Sequence, residues 1–376
     1  AIPSLEELSQ DGETGRRKIN QWTRIISLPL AVVQSIAYIF ILYKSAVAQN
    51  TVAFTPTTSD WILSVTAMTA GSTILMWLGE FITEQGIGNG ISMIIFASII
   101  SQFPSSLTQL GAALFDTSAG SLSLFGWLKL PVNPVVFFTI LGFTVALLIV
   151  IYFLVKLNEA QRIITINYAK RVHGNSSYGG IKSIIPIKLI AAGVIPVIFA
   201  TAFLSLPAMV GQLIQTINPA NSLGKSLVTI FTAPSASNFQ SLYPTGINLQ
   251  WFLYPSLYFI LVVVFTYFYT SIIFNTKEIA DNLQKQGGFI EGVRPGLTTA
   301  NYLSKVVTRL NFFGAFALGV IAMLPFITDY IFIITTGKPI GLSLSGTGLL
   351  IVVTVALESL RQLDSRALMV TYDDYK

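Results

Sequence analysis

The chain has 376 residues, of which 53% are hydrophobic and only 10% charged, with a formal net charge of +5 and no cysteine. Its mean hydropathy is +0.69, whereas soluble domains carry charge on roughly a quarter of their residues; this is the composition of an integral membrane protein with room for several spans of about 20 residues each. The lack of cysteine excludes disulfides, thiolate metal sites and cysteine nucleophiles, and the excess of basic residues marks one membrane face, because of where those residues fall, rather than a nucleic-acid partner.

The N-terminal stretch AIPSLEELSQDGETGRRKINQWTR is polar and basic, starts on Ala1 rather than Met and has no signal-peptide apolar core, so it reads as the continuation of a longer chain. Arg16, Arg17, Lys18 and Arg24 precede the first apolar run, Ile25 to Tyr43, which places this end in the cytosol by the positive-inside rule. Later runs are Trp61 to Leu78, Ile91 to Phe103, Val135 to Val155, Leu189 to Leu213, Trp251 to Phe274, Leu310 to Phe332, and Leu349 to Leu360 leading into a polar tail. This predicts eight spans with both ends cytosolic. The four external segments then hold only Lys44, Lys129, Lys225 and Lys338, while the other 18 of the 22 basic residues fall on the cytosolic side or at its boundary. A wrong span count would scramble that asymmetry.

Two long cytosolic loops stand out, 156–188 and 275–309. The second, NTKEIADNLQKQGGFIEGVRPGLTTANYLSKVVTR, is the most polar long stretch of the chain and carries five Lys or Arg residues. Gly287, Gly288, Gly292, Pro295 and Gly296 interrupt helix there and predict a tight turn with Arg294 at its tip.

Ionisable residues are nearly absent inside the spans. Glu80, Lys156 and Lys188 fall at span ends, where they can snorkel, and Glu358 lies a turn or two from the end of the last span. Gln34, halfway along the first span, is either a polar bond between helices or the lining of an aqueous path; periodicity does not separate these. A secondary transporter of small solutes is the alternative function class, but it calls for an intramembrane charge or broken helices with coordinating groups in matching halves. A catalytic relay is not available, since the one histidine, His173, sits in a basic loop with no acidic orienting partner nearby. In EQGIGNGIS the glycines at 86, 88 and 90 leave Ile91 where a dinucleotide fingerprint needs its third glycine, so they read as a compact turn, with Asn89 or Ser92 satisfying the N–H groups of the next helix. No nucleotide motif appears, so no cofactor is expected.

GRRKINQWTR, VVQSIAY, MWLGEFITEQGIGNGISMIIFA, NYAKRVHGNSSYGG, IPIKLIAAGVIPVIFA, ADNLQKQGGFIEGVRPG and GTGLLIVVTVALESL follow one another in an order that resembles the bacterial-type SecY family, from end to end of the chain. The resemblance implies an all-α integral membrane protein, a multi-span helical bundle in two pseudo-symmetric halves around an hourglass pore. It implies a passive, non-enzymatic channel through which signal peptides and nascent polypeptides cross the cytoplasmic membrane or enter its lipids. Its implied partners are SecE, SecG, and the motor SecA or the ribosome. The family has ten spans, so residues 1–110 correspond to the rest of the N-terminal half, without its first two spans and plug, 111–133 to an external connection, and 134–376 to the C-terminal half.

By the same resemblance the pore ring falls on Ile91, Ile95, Ile198 and Ile351, the lateral gate on Gln34 and Pro196, and the SecA or ribosome docking positions on Lys170, Arg171 and Arg294. The chain departs from the family where a polar residue often precedes AGVIP: here the stretch is Leu189-Ile190-Ala191-Ala192. Pro196, inside the fifth span, is expected to remove a backbone hydrogen bond and kink it as a hinge.

Overall fold

In the computed structural model of the chain the described residues are 12–48, 56–86, 88–115, 122–124, 128–130, 132–168, 171–173, 176–178, 182–190, 192–233, 250–336 and 346–373. They divide into two compact units, Ala1–Ile94 with Ser205–Thr232, and Ile95–Leu204 with Ala233–Lys376.

The first unit is built on a helical hairpin, α1 (Gly12–Ala48) and α2 (Thr58–Glu84). Its pairings run in opposite directions along the two helices. Arg24 meets Glu80, Ser27 donates to the Met76 sulfur at 3.4 Å, Thr69 meets Ser35 at 3.5 Å, and the Phe40 and Tyr43 rings pack on Trp61 at 6.3 and 6.0 Å. Small Ser35 and Ala37 are buried along this seam while Leu30, Val33, Leu63 and Trp77 are exposed, the division expected of helices whose outer faces meet lipid rather than water. The entry to α2 is capped by Asp60, whose carboxylate accepts from the Thr57 N–H at 2.9 Å and hydroxyl at 2.7 Å.

Helix α3 (Gly90–Leu114) starts immediately after the glycine turn, where Gly86 and Gly88 take φ of 70° and 83°. Asn89 caps it, accepting from Ile91 N at 3.1 Å. Thr83 joins the helices, donating to Gly79 O at 2.8 Å and accepting from Gly90 N at 2.9 Å. A Cβ on Gly90 would overlap the Gly79 carbonyl. Gly90→Ala is therefore expected to cost about 1–3 kcal/mol by overpacking, seen as a lower unfolding midpoint in detergent, and an unchanged midpoint would show that the helices are not held this close.

The first unit also holds the later half of α5 (Ile195–Ile217) and α6 (Ser222–Phe231), which turns back along it. Gly211 and Gly224 permit the approach: an added Cβ would lie 2.8 Å from Leu227 Cβ and 2.9 Å from Ile214 Cγ2 respectively.

The second unit holds the rest of α3, the short pair β1 (Leu122–Leu124) and β2 (Leu128–Leu130), α4 (Pro134–Glu159), and the start of α5. It also contains α7 (Gln250–Ile273), α8 (Thr276–Lys285), α9 (Leu297–Thr336) and α10 (Gly346–Asp373). Its centre is the pair α7 and α9. Tyr254, Tyr258, Val262, Thr266 and Thr270 recur every fourth residue and are buried. Asn311, Ala315 and Ala322 of α9 are buried as well. Thr270 donates to Asn311 Oδ1 at 3.0 Å, Phe326 packs edge-on against Tyr254 and Tyr258, and Gly319 admits the Phe259 ring.

Among the described residues six helices are long and apolar enough to cross a membrane: Gln21–Lys44, Thr58–Glu84, Pro134–Glu159, Ile195–Ile217, Phe252–Lys285 and Leu297–Leu324. Of the two remaining predicted spans, the third corresponds to the shorter apolar helix Gly90–Ser105, and the last lies within α10, which carries Glu358, Arg361 and Asp364 from its middle onward. The fold is a multi-span helical bundle; among the described residues six spans stand on length and composition alone, and the other two of the predicted eight do not meet that criterion.

Beyond the end of α4 the described residues of the predicted loop 156–188 are largely strand. One residue after α4, β3 (Gln161–Tyr168) begins, and it returns as β6 (Lys182–Lys188), with β4 (Arg171–His173) and β5 (Ser176–Tyr178) paired between them. The second long loop adds β7 (Gly288–Ile290), giving an antiparallel sheet in the order β6-β3-β7. Ile164, Ile187 and Ile290 on one face form a core with Leu303 of α9, against which Val306, Val307, Leu310, Ile279 and Phe274 pack.

Candidate functional site

Ile91 and Ile95 occupy successive turns at the start of α3, hence the same side of that helix. Ile91 is 57% exposed and Ile95 half-buried. Ile91 belongs to the first unit, Ile95, Ile198 and Ile351 to the second. Within the second unit α3 meets α10 where the Ile99 side chain covers Gly348, 3.3 Å from the position of a Cβ there. Ile95 and Ile351 each lie about one turn from that contact. Ile351 is buried at 6%, and Ile198, in the first turn of α5, is half-buried.

Gln34 is exposed while its neighbours Ser35 and Ala37 are buried, so the polar contact between α1 and α2 belongs to Ser35 and Thr69, not to Gln34. Near the end of the same pair, Arg24 Nε donates to Glu80 Oε1 at 2.9 Å and its NH2 group lies 2.6 Å from Oε2. Glu80 is thus held in a two-pronged ion pair rather than anchoring the interface alone. With side chains 44% and 31% exposed, the pair contributes no more than about 1 kcal/mol.

Pro196 does not kink its helix. Helix α5 begins at Ile195, so Pro196 sits in the first turn, where the N–H it lacks has no intrahelical partner in any case. The proline inside the helix is Pro207. Before α5 the chain bends at Leu189 and Ile190 and turns through Ala192 to Val194, with Gly193 at φ 59°. The sequence reading ran a span through these residues because they are apolar, without weighing that a proline one residue into a helix marks its start.

Lys170 lies outside the described residues. Arg171 opens β4, opposite Tyr178. Arg294 is exposed in the turn between β7 and α9, and its carbonyl accepts from Thr299 Oγ1 at 2.8 Å. Gly292 and Gly296 flank it at φ 78° and 91°, which is the tight turn expected there. Sheet pairing joins the two long loops through Ile166–Ile290, Asn167–Phe289 and Tyr168–Gly288. That junction was missed because the sequence reading weighed the loops by charge; the alternation of Ile164, Ile166 and of Ile185, Ile187 was its signal.

A protein-family model described as SecY matches residues 1–360. Among curated relatives, the protein translocase subunit SecY of Thermotoga maritima is 35% identical over 380 residues, covering 100% of this chain and 75% of the relative. That of Streptomyces galbus is 36% identical, covering 100% and 78%, and that of Mycobacterium leprae 34% identical, covering 100% and 78%. A solved chain reported in work on the SecY plug domain and the closed translocation channel superposes with a TM-score of 0.61 at 19% identity, covering 93% of this chain and 74% of that one. Another, described as a protein conducting channel, gives 0.63 at 20% identity, covering 93% and 73%. At that identity the likeness to the solved chains is one of fold.

Proposed function

This chain belongs to the SecY family, and from that premise we propose that it forms the wall of a passive conduit for unfolded polypeptides, driven by a motor or a ribosome that docks on its basic loops. The protein is a subunit of the protein translocase, a multi-pass protein of the cell membrane and not an enzyme. The observation that carries this is the family match along residues 1–360, joined by relatives at about 35% identity over the whole chain.

The physical chemistry agrees. Ile25 to Tyr43, Trp61 to Leu78, Val135 to Val155, Ile195 to Ile217, Gln250 to Ile273 and Leu310 to Thr328 contain no Asp, Glu, Lys or Arg, so they offer neither a proton relay nor a charged solute site. Energy for transport must come from outside the chain. Membership of a translocase complex follows from the family; SecE, SecG and SecA as its partners, ribosome docking, lipid contacts and an orientation with both chain ends in the cytosol belong to the proposal.

Within it, Ile91, Ile95, Ile198 and Ile351 supply a β-branched collar that closes around a peptide without binding it, excluding ions by refusing to solvate them. Gln34 and Pro196 belong to the elements that part toward lipid. Gln34 suits this because its amide is free of the α1–α2 seam, on the exposed side of the helix. Lys170, Arg171 and Arg294 take the docking contacts. The halves of the pore correspond to residues 1–110 and 134–376, joined through 111–133.

The test is reconstitution of the channel protein carrying this sequence with SecE and SecG in vesicles supplied with SecA, ATP and a labelled preprotein. Protease-protected preprotein is the expected result. Correctly inserted channel that protects none, with an active motor, overturns the proposal.

A further inference from the structure

The sheet β6-β3-β7 has two faces, and among the described residues only one is packed into a core. Ile164, Ile187 and Ile290 point into the core with α9. The alternate residues Gln161, Ile163, Thr165 and Asn167 of β3 lie opposite Lys188, Pro186, Ile184 and Lys182 of β6, and Asn167 also faces Phe289 of β7, so all share the other face. There Ile163 is 52% exposed, Ile184 55% and Phe289 38%, and Pro186 is exposed as well. Four apolar side chains from three strands form one open patch with lysines at both ends of β6. None of these nine residues is acidic, and Glu291 lies beyond the strand, in the turn.

We propose that this outer face seats an amphipathic helix with acidic flanks presented by the docking motor protein, rather than ribosomal RNA or the bilayer surface. The proposal rests on the reading of the two loops as the cytosolic docking surface. From Lys182 to Lys188 the strand rises about 20 Å and three strands span about 10 Å, the footprint of roughly thirteen residues of helix. Lysines at both ends complement acidic flanks, and the apolar centre takes the helix's hydrophobic stripe, the helix-in-groove mode of recognition.

RNA fits poorly. Its phosphates would satisfy Lys182 and Lys188, but the aliphatic Ile163, Ile184 and Pro186 offer neither hydrogen bonds nor an aromatic face on which a base could stack. The bilayer fits poorly for a geometric reason. Helix α9 has 40 residues, about 60 Å of rise, twice the hydrocarbon thickness. Its polar beginning, through Lys305 and Arg309, stands clear of that layer. The sheet packs side-on against Leu303, Val306 and Val307 of this part, so its outer face looks sideways from the helix axis and not down onto lipid.

Because the chain has no cysteine, Ile184→Cys gives a single thiol in this chain for an environment-sensitive fluorophore. In the complete channel complex in nanodiscs, purified SecA is expected to shift the emission to the blue and shield the label from iodide, whereas purified ribosomes are expected to leave it quenchable. Ile163→Glu combined with Ile184→Glu is expected to weaken SecA binding by about tenfold or more, with ribosome affinity unchanged within about twofold. Both side chains lie outside the core, and the labelled Ile184→Cys channel answers the question even where the double variant fails to fold. A label that stays quenchable with SecA bound overturns the proposal and leaves the docking reading standing. Shielding before any motor is added, or shielding by ribosomes, overturns it as well. Wild-type channel that binds no SecA sinks the docking reading, and this proposal with it.

Discussion

Replacing Ile91, Ile95, Ile198 and Ile351 together by serine is expected to open a steady ion leak through the inserted channel. An apolar constriction blocks ions because a water column inside it is unstable and an ion cannot keep its hydration shell; hydroxyls at the same positions stabilise the water and lower that barrier. The four sites do not carry equal structural cost. Ile351 is buried at 6%, and its truncation removes packing worth about 2–4 kcal/mol. Ile91 is more than half exposed at the first turn of α3, so Ile91→Ser with Ile95→Ser separates pore opening from unfolding. Conductance in planar bilayers is the readout. A resting current equal to wild type, with insertion demonstrated, removes these residues from the pore wall.

Much of the fold was legible because hydrophobic burial writes a long, uniform signal. The runs Ile25 to Tyr43, Val135 to Val155 and Trp251 to Phe274 each lie within a single helix, α1, α4 or α7 but for one terminal residue, since no alternative lets an apolar backbone satisfy its own hydrogen bonds in lipid. The turn at Arg294 was legible for a similar reason: Gly292 and Gly296 take positive φ, which glycine alone adopts without strain.

Short strands write no such signal. In β3 the sequence RIITINY holds two adjacent isoleucines, Ile163 and Ile164, one outside and one in the core; which is which depends on the partner strand twenty residues away. Pro196 misled for a different reason. A proline breaks a helix only beyond its first turn, and the helix start at Ile195 is set by the Gly193 turn rather than by hydropathy. The position of Gln34 depended on the seam of α1 with α2, which follows from small Ser35 and Ala37 and so was present in the sequence, though masked by apolar residues on every side.

Arg294→Lys in the complete channel is expected to leave membrane insertion intact and to reduce motor-driven translocation about tenfold or more. The charge is conserved, so the asymmetry that orients the spans is untouched. The turn is conserved as well, because Gly292, Pro295 and Gly296 shape it, and Thr299 holds the backbone carbonyl of residue 294 at 2.8 Å rather than its side chain. What changes is the planar guanidinium, which grips a carboxylate with two parallel hydrogen bonds where an ammonium offers a single point charge. Losing one charge-assisted bond of about 1.5–3 kcal/mol corresponds to ten- to a hundredfold in a docking equilibrium. The basic pair in the other loop separates by charge rather than by shape. Lys170→Glu with Arg171→Glu is expected to weaken ribosome binding, with a shallower dependence on salt because fewer counterions are released, and to affect the motor less. Translocation at the wild-type rate by the Arg294→Lys channel, measured as protease-protected preprotein against time, would reduce this turn to a connector between β7 and α9.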